Sequence, residues 1–182
     1  MKEANTLVGN SPVLASAVRN IPDWPKPGVQ FKDITPILVD PALMAQAVEA
    51  LAAPFENEGI TKVVAIEARG FILGAALAQH LGAGFVPVRK KGKLPYRTVS
   101  ASYSLEYGTD TIEMHVDAIA PHDRVLIHDD VIATGGTAVA TYQLASQMGA
   151  DVVGMAFLIE LGFLNGRQLL DSNLRIHSVL HF

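Results

Sequence analysis

Val125-Leu126-Ile127-His128-Asp129-Asp130-Val131-Ile132-Ala133-Thr134-Gly135-Gly136-Thr137-Ala138 is the stretch whose reading decides the fold. Its first three residues form an apolar run suited to a buried parallel strand, and Asp129-Asp130 then falls at the strand's C-terminal end, where ligands collect in open parallel sheets. Ala133 to Thr137 follow with small side chains and two hydroxyls. Such a turn lets backbone N–H groups close around a phosphate at the N-terminus of the next helix. Carboxylates beside the turn would repel a phosphate, so they read as facing ribose hydroxyls or a divalent cation. The stretch therefore reads as a sugar-phosphate site.

The rest of the chain sets the context. At 182 residues, with 49% hydrophobic and 18% charged residues, the sequence reads as one globular domain spanning residues 1–182. A net charge of −4 argues against a nucleic-acid-binding surface, although local basic clusters could still hold a small anion. With no cysteine, disulfides and thiolate zinc sites are excluded. No signal-like apolar core follows Met1-Lys2-Glu3-Ala4-Asn5, and no run of about 18 apolar residues is present to span a bilayer. The expectation is a cytoplasmic protein with no membrane partner.

Outward from the opening stretch, strands and helices alternate. Ser11-Pro12 reads as an N-cap and first helical residue, with Val13, Leu14, Ala17, Val18 and Ile21 at helical spacing. Pro22, Pro25, Pro27 and Gly28 break regular structure, so residues 24–35 read as a loop or short irregular strand. Asp40-Pro41 opens a second helix, which closes near Pro54. Residues 62–66 form a β-branched strand, 69–81 a helix and 85–88 a second strand, which together make a βαβ unit. Residues 98–107 are polar and weakly patterned, and read as containing a mobile loop. Residues 111–116 alternate as a strand near an edge does. A helix over 136–148 ends at Gly149, followed by a strand over 152–161, a helical turn over 165–170 and a last strand over 174–180.

This alternation predicts an α/β fold, a mostly parallel twisted sheet flanked by helices. Glu67-Ala68-Arg69-Gly70 and Asp129-Asp130, each following a strand, would then converge on one crevice. Gly135-Gly136 lacks the Gly-Lys-Ser/Thr ending of a Walker A loop and the spaced glycines of a dinucleotide fingerprint, which removes support for nucleoside triphosphates and NAD.

With its acidic pair included, the Ala-Thr-Gly-Gly-Thr turn resembles the phosphoribosyl-pyrophosphate motif of the type I phosphoribosyltransferases. Four further segments narrow the resemblance to the adenine phosphoribosyltransferase family: Pro27 to Pro36, Glu67 to Phe71, Arg89 to Pro95 and Ala101 to Gly108. The similarity covers roughly residues 12–170. It implies the type I fold with a small N-terminal base-binding hood at about 22–36 and a mobile loop at about 96–110. It also implies a purine-salvage transfer of phosphoribosyl from phosphoribosyl pyrophosphate to adenine, giving AMP and pyrophosphate, with Mg²⁺ and in a homodimer.

The resemblance assigns roles by position. Ala133, Thr134, Gly135, Gly136 and Thr137 would hold the 5′-phosphate, with the helix N-terminus contributing roughly 0.3–1 kcal/mol. Asp129 and Asp130 would face the ribose hydroxyls and favour the positive charge that develops at the anomeric carbon. Arg69, Arg89 and Lys93 would bind pyrophosphate, with Lys90 and Lys91 nearby. Glu106 would close over the site and manage the proton at N7 of adenine, with Tyr103 and Tyr107 locking the loop. Phe31 would stack on the purine, the backbone groups of Gln30 and Lys32 would bond its edge, and Leu161 would complete the pocket. Mg²⁺ would rest mainly on substrate oxygens and water, with no all-protein metal site.

The chain departs from the family pattern twice. His128 stands where relatives usually carry an aliphatic residue, and Ala68 replaces a residue that is often serine. His128 would alternate away from Asp129 on the strand and reads as structural. Two rival functions share the motif: a phosphoribosyltransferase for another purine such as xanthine, and a non-catalytic regulator that senses phosphoribosyl pyrophosphate. The absence of an added DNA-binding segment and the presence of Glu106 count against the regulator.

Overall fold

The computed structural model describes residues 11–104 and 109–182. In chain order it contains α1 (Pro12–Ala17), β1 (Arg19–Pro22), β2 (Gln30–Asp33), α2 (Thr35–Val39), α3 (Pro41–Ala52), β3 (Lys62–Ile66), α4 (Gly70–His80), β4 (Gly84–Lys90), β5 (Thr98–Ser104), β6 (Thr109–His115), β7 (Arg124–Ile132), α5 (Gly136–Gln147), β8 (Asp151–Glu160) and β9 (Arg175–His181). The main sheet has seven strands in the order β5-β6-β4-β3-β7-β8-β9. From β4 to β9 all neighbours run parallel, whereas β6 and β5 are added antiparallel at one edge.

The chain winds from β3 outward to β4, then returns to place β7 on the other side of β3 and continues outward to β8 and β9. The strand order therefore reverses between β3 and β7, and the crevice beyond their C-terminal ends is where such sheets bind ligands. The segments leaving those two ends are Glu67–Gly70 and Ala133–Gly135.

Alternation along the central strands divides the core into two layers. Val63, Leu126, Ala156 and Leu158 face Leu14, Ile37, Leu51, Leu73 and Leu77 of α1 to α4. Val64, Val125, Ile127, Met155 and Phe157 face Leu144 and Ala145 of α5 and Met114 of β6. Burial on both faces explains why β3, β7 and β8 read in sequence as nearly unbroken apolar runs. One glycine sets the depth of a helix: a Cβ at Gly74 would lie 2.6 Å from Ala65 Cβ, so α4 lies directly on β3 only because that side chain is absent.

Three local expectations are corrected. The first helix stops at Ala17, and Val18 and Ile21 do not extend it. Ile21 instead pairs with Phe31 across the β1–β2 hairpin, and the second strand, Gln30–Asp33, is the short strand that the reading of residues 24–35 allowed. The second concerns Thr35-Pro36, which starts a five-residue helix, α2, that the sequence pattern did not reveal. The third is that the first part of the segment read as containing a loop, residues 98–104, forms a seven-residue strand whose register with β6 runs from Thr98↔His115 to Ser104↔Thr109, while residues 105–108 lie outside the described residues. The strand's polar character follows from its edge position, because Ser100 and Ser102 are exposed.

Leu126 is fully buried in the middle of β7. Leu126→Ala is expected to destabilise the chain by about 2–5 kcal/mol, as removal of a packed leucine side chain does, measured by urea denaturation.

Candidate active site

β7 runs on to Ile132, so Asp129 and Asp130 are strand residues whose side chains take opposite sides of the sheet. The Asp130 N–H donates to Asp129 Oδ1 at 2.8 Å. Asp130 is 4% exposed, and its Oδ2 lies 2.8 Å from Arg69 Nε without hydrogen-bond alignment, leaving that oxygen with no other partner among the described residues. Burial and repulsion from Asp130 push the Asp129 carboxyl well above the usual carboxylate range. Burial also raises Asp130, but the Arg69 guanidinium holds it back. Two buried acids this close favour any hydroxyl donor or positive charge that comes to them.

Close approach of α4 completes this corner. A Cβ at Gly70 would fall 2.8 Å from Asp129 Oδ1 and 3.1 Å from Asp129 Cα. Only glycine lets the Glu67–Gly70 segment lie against the end of β7, and that brings Arg69 over Asp130. The same Arg69 guanidinium stands 4.8 Å from the centre of the Phe31 ring on β2, so the hood is joined to the acidic pair through one cation. Phe31 is half-buried, and Trp24 meets it edge-on with ring centres 4.4 Å apart. Gln30 and Lys32, two residues apart on β2, turn their backbone groups to the same edge. Beyond β1, β2 has no other strand neighbour. The Lys32 ammonium bonds Asn20 Oδ1 at 2.6 Å and sits 3.9 Å over the Phe182 ring.

The turn after β7 is held by glycine geometry. Gly135 takes a left-handed conformation, φ 83°, and α5 begins at Gly136 with no side-chain cap, leaving its first N–H groups to an external acceptor. Asp129, Thr134 and Thr137 line a cavity of about 80 Å³ above this turn. Asp129 and Thr137 also border a second cavity of about 180 Å³, together with Glu67, Lys90 and Tyr103. Leu161 follows β8, and its N–H donates to Ile132 O at 3.0 Å, which ties it to the base of the turn.

Glu67 is the residue whose importance the sequence did not convey. Its carboxylate accepts from Arg89 Nε at 3.1 Å, from the Lys90 N–H at 2.9 Å and from Lys93 Nζ. Burial pushes this carboxyl up, but Lys93, the Lys90 amide and Arg89 together hold it below its ordinary range. Arg89 and Lys93 are thus gathered at one point beside the larger cavity, while Lys90 pairs with Asp110 at 2.9 Å. The signal available was only that an acid follows an apolar strand. Lys91 is exposed, and Glu106 and Tyr107 lie outside the described residues. Among the described residues no three His, Asp or Glu side chains gather in a metal-binding cluster.

His128 lies on the opposite side of β7 from Asp129 and is fully buried. Its Nδ1–H donates to Ala156 O at 2.9 Å, while Nε2 has no partner among the described residues. Burial pushes this ring down to about 4, against the hydrogen bond to Ala156.

An acidic pair at a strand end, an uncapped helix start and a gathered set of cations, all at a switch point of a parallel sheet, define a site for a phosphorylated, pyrophosphate-bearing sugar. Residues 35–171 match the phosphoribosyl transferase domain, and the chain is a member of that class. It is 60% identical over 168 residues to the adenine phosphoribosyltransferase of a Synechococcus species, covering 92% of this chain and 96% of the relative. The crystal structure of the adenine phosphoribosyltransferase of Rhodothermus marinus superposes with a TM-score of 0.90 at 64% identity, covering 93% of this chain and 97% of that one. The adenine phosphoribosyltransferase of Trypanosoma brucei, in complex with AMP, pyrophosphate and ribose-5-phosphate, superposes with a TM-score of 0.85 at 26% identity, covering 93% and 78%. The chain belongs to the adenine phosphoribosyltransferase family, a family of pentosyltransferases.

The buried histidine gives a pH test. The unfolded chain protonates His128 below about pH 6.5 and the folded chain resists until about 4. Its contribution to stability is therefore complete above pH 6.5 and is lost as pH falls toward 4. Between pH 7 and pH 4 the wild type is expected to lose up to about 3 kcal/mol more unfolding free energy than His128→Gln, which cannot titrate. His177, also lowered by burial, titrates in both proteins and cancels in the comparison. Equal pH dependence of the two would refute this assignment.

Proposed function

We propose that this chain transfers the phosphoribosyl group of phosphoribosyl pyrophosphate to adenine, releasing AMP and pyrophosphate. The observation that carries the reading is the Asp129–Asp130 pair near the end of β7, Asp130 buried and Asp129 opening on the cavities, a short turn before the uncapped N-terminus of α5. That juxtaposition offers amides to a 5′-phosphate and carboxylates to the adjoining ribose, one residue cluster apart. The complex of the trypanosomal relative with AMP, pyrophosphate and ribose-5-phosphate supports the same set of ligands.

On this reading Ala133 to Thr137 bind the 5′-phosphate through backbone amides and hydroxyls. Asp129 and Asp130 accept from the ribose hydroxyls and stabilise positive charge as the bond from the anomeric carbon to pyrophosphate lengthens. Arg69, Arg89 and Lys93 receive the departing pyrophosphate. Arg69 pairs with Asp130, and Arg89 and Lys93 pair with Glu67, which supports these roles by gathering the three cations around the crevice. Phe31 stacks on adenine, backbone groups of Gln30 and Lys32 read its edge, and Leu161 closes the far side. Glu106 supplies proton management at N7.

Glu67 and Asp129, carboxylates on one cavity, fit an ion that takes only one or two protein ligands and fills its shell with substrate oxygens and water. When bound, Mg²⁺ supplies neutralisation of pyrophosphate charge. The exposed apolar side chains of Val39, Ile72 and Phe85 support a homodimer in which a second copy covers part of the helical face. A cytoplasmic location and a single domain over residues 1–182, with the hood and the loop at 96–110 as its parts, complete the proposal.

Purified protein given phosphoribosyl pyrophosphate with adenine, hypoxanthine or xanthine in turn is expected to release pyrophosphate with adenine. Turnover of xanthine or hypoxanthine but not adenine would overturn the choice of base. In the same assay Glu106→Leu is expected to lower kcat by about 10²–10⁴-fold, the usual worth of general acid–base catalysis, while KM for phosphoribosyl pyrophosphate changes little. An unchanged kcat would remove Glu106 from the mechanism.

A further inference from the structure

Gly166 sits in the short 3-10 turn Gly166–Leu169 between β8 and β9, outside every segment so far given a role. It is buried, and its φ is not positive, so backbone conformation alone does not require glycine there. Space does. A Cβ on Gly166 would stand 2.1 Å from Ala133 O, 2.7 Å from Gly135 N and 2.8 Å from the Thr134 carbonyl carbon. The contact is reciprocal, since a Cβ on Gly135 would stand 2.4 Å from Gly166 O. Every atom met is backbone of the phosphate turn, so no side chain can swing aside to make room.

The seat is itself held. The segment from Leu161 to Gly166 is a short closed loop whose start is fixed by the Leu161 N–H to Ile132 O. Its two ends are joined by Arg167, whose guanidinium bonds both oxygens of Glu160 and also reaches Ile176 O at 3.0 Å and Ser178 Oγ at 3.1 Å. Glu160 is 9% exposed, which shields this fork-to-carboxylate pair from competing water. The loop thus begins at the residue assigned to the base and ends on the backbone assigned to the phosphate.

We propose that Gly166 is a positioning residue for the 5′-phosphate: it seats the backbone of Ala133–Gly135 at the height the phosphate needs, and the Glu160–Arg167 clasp holds that seat in place. The proposal rests on the phosphoribosyl-transfer reading of the site. Relieving a 2.1 Å contact to ordinary carbon–oxygen separation needs a shift of roughly 1 Å. Phosphate-binding amides work over a narrow range of distance, about 2.7–3.2 Å, so such a shift is felt by the phosphate first.

The test compares the full chain with Gly166→Ala by calorimetric titration with AMP and by steady-state kinetics. Expected are a Kd for AMP and a KM for phosphoribosyl pyrophosphate raised by about tenfold or more, with KM for adenine and kcat within about threefold of wild type. Wild-type AMP affinity in Gly166→Ala would overturn the role, and so would equal weakening toward AMP and adenine, which marks a general loss of structure. A wild type that turns over no base and binds no AMP would overturn the functional reading and this role with it. If Gly166→Ala does not fold, Arg167→Gln carries the same comparison. A weakening of AMP by about threefold or more with adenine unchanged supports the clasp, and unchanged AMP affinity overturns it.

Discussion

Two adjacent carboxylates near the end of a central strand, Asp130 buried and Asp129 half-buried, are the constraint on which this architecture turns. An ionised acid taken out of water is costly unless something answers its charge, and here one guanidinium, Arg69, answers two acids. That shortage explains the raised titration of Asp129 and Asp130 and the open oxygen on Asp130. The surrounding sheet tolerates the cost because β3, β7 and β8 are buried on both faces and supply most of the core. Gly70 and Gly74 then let α4 come close enough to deliver Arg69 to the pair.

The charges of the crevice are sorted by height. At the strand ends, the acids are deep and nearly enclosed, whereas the cations stand at the rim with more of their surface in water. Glu67 is the exception that organises the rest: a nearly buried acid under three donors, it fixes the spacing of Arg89 and Lys93. Held cations lose less side-chain freedom when an anion binds than free ones would. Arg69 occupies a middle position, touching the hood aromatic Phe31 on one side and Asp130 on the other. Base, sugar and leaving group therefore meet at this one residue, on the proposed reading.

What could be read from the sequence was whatever local patterning controls. The β-branched run 62–66 is a strand over those same residues, and Asp40-Pro41 caps its helix by accepting from the Ala42 and Leu43 N–H groups. Gly149 ends α5 with φ 84° as a helix-terminating glycine does. What escaped was set by partners distant in sequence. Residues 98–104 do alternate, with Val99, Ala101 and Tyr103 turned to the core and Ser100 and Ser102 exposed, but the small, polar residues make that pattern faint until β6 offers a matching edge. Val18 and Ile21 share the spacing of the first helix, yet pairing with β2 draws Ile21 into a hairpin. Glu67 gathers cations from 22 and 26 residues onward, and no spacing rule marks such a meeting. The alternation of β7 does turn His128 away from Asp129 as a structural residue, and the packing adds that it is sealed between Ala156 and α4.

On the proposed reading, the parts of the site differ in how they would resist change, because they bind by different means. The phosphate turn works through backbone amides, so its requirements are spatial and fall on residues without side chains: Gly135 in the left-handed region and Gly166 against it. The sugar is addressed by side-chain charge, where replacement of a single oxygen matters. The base meets a two-stranded hairpin anchored to the body by the Phe31–Arg69 contact and by Lys32 on Phe182. A backbone edge reads donor and acceptor order without committing any side chain, so the choice among 6-amino and 6-oxo purines depends on how that hairpin is held rather than on which residues it exposes. On that reading phosphoribosyl recognition is built into the central sheet, while base choice falls to a hairpin outside it.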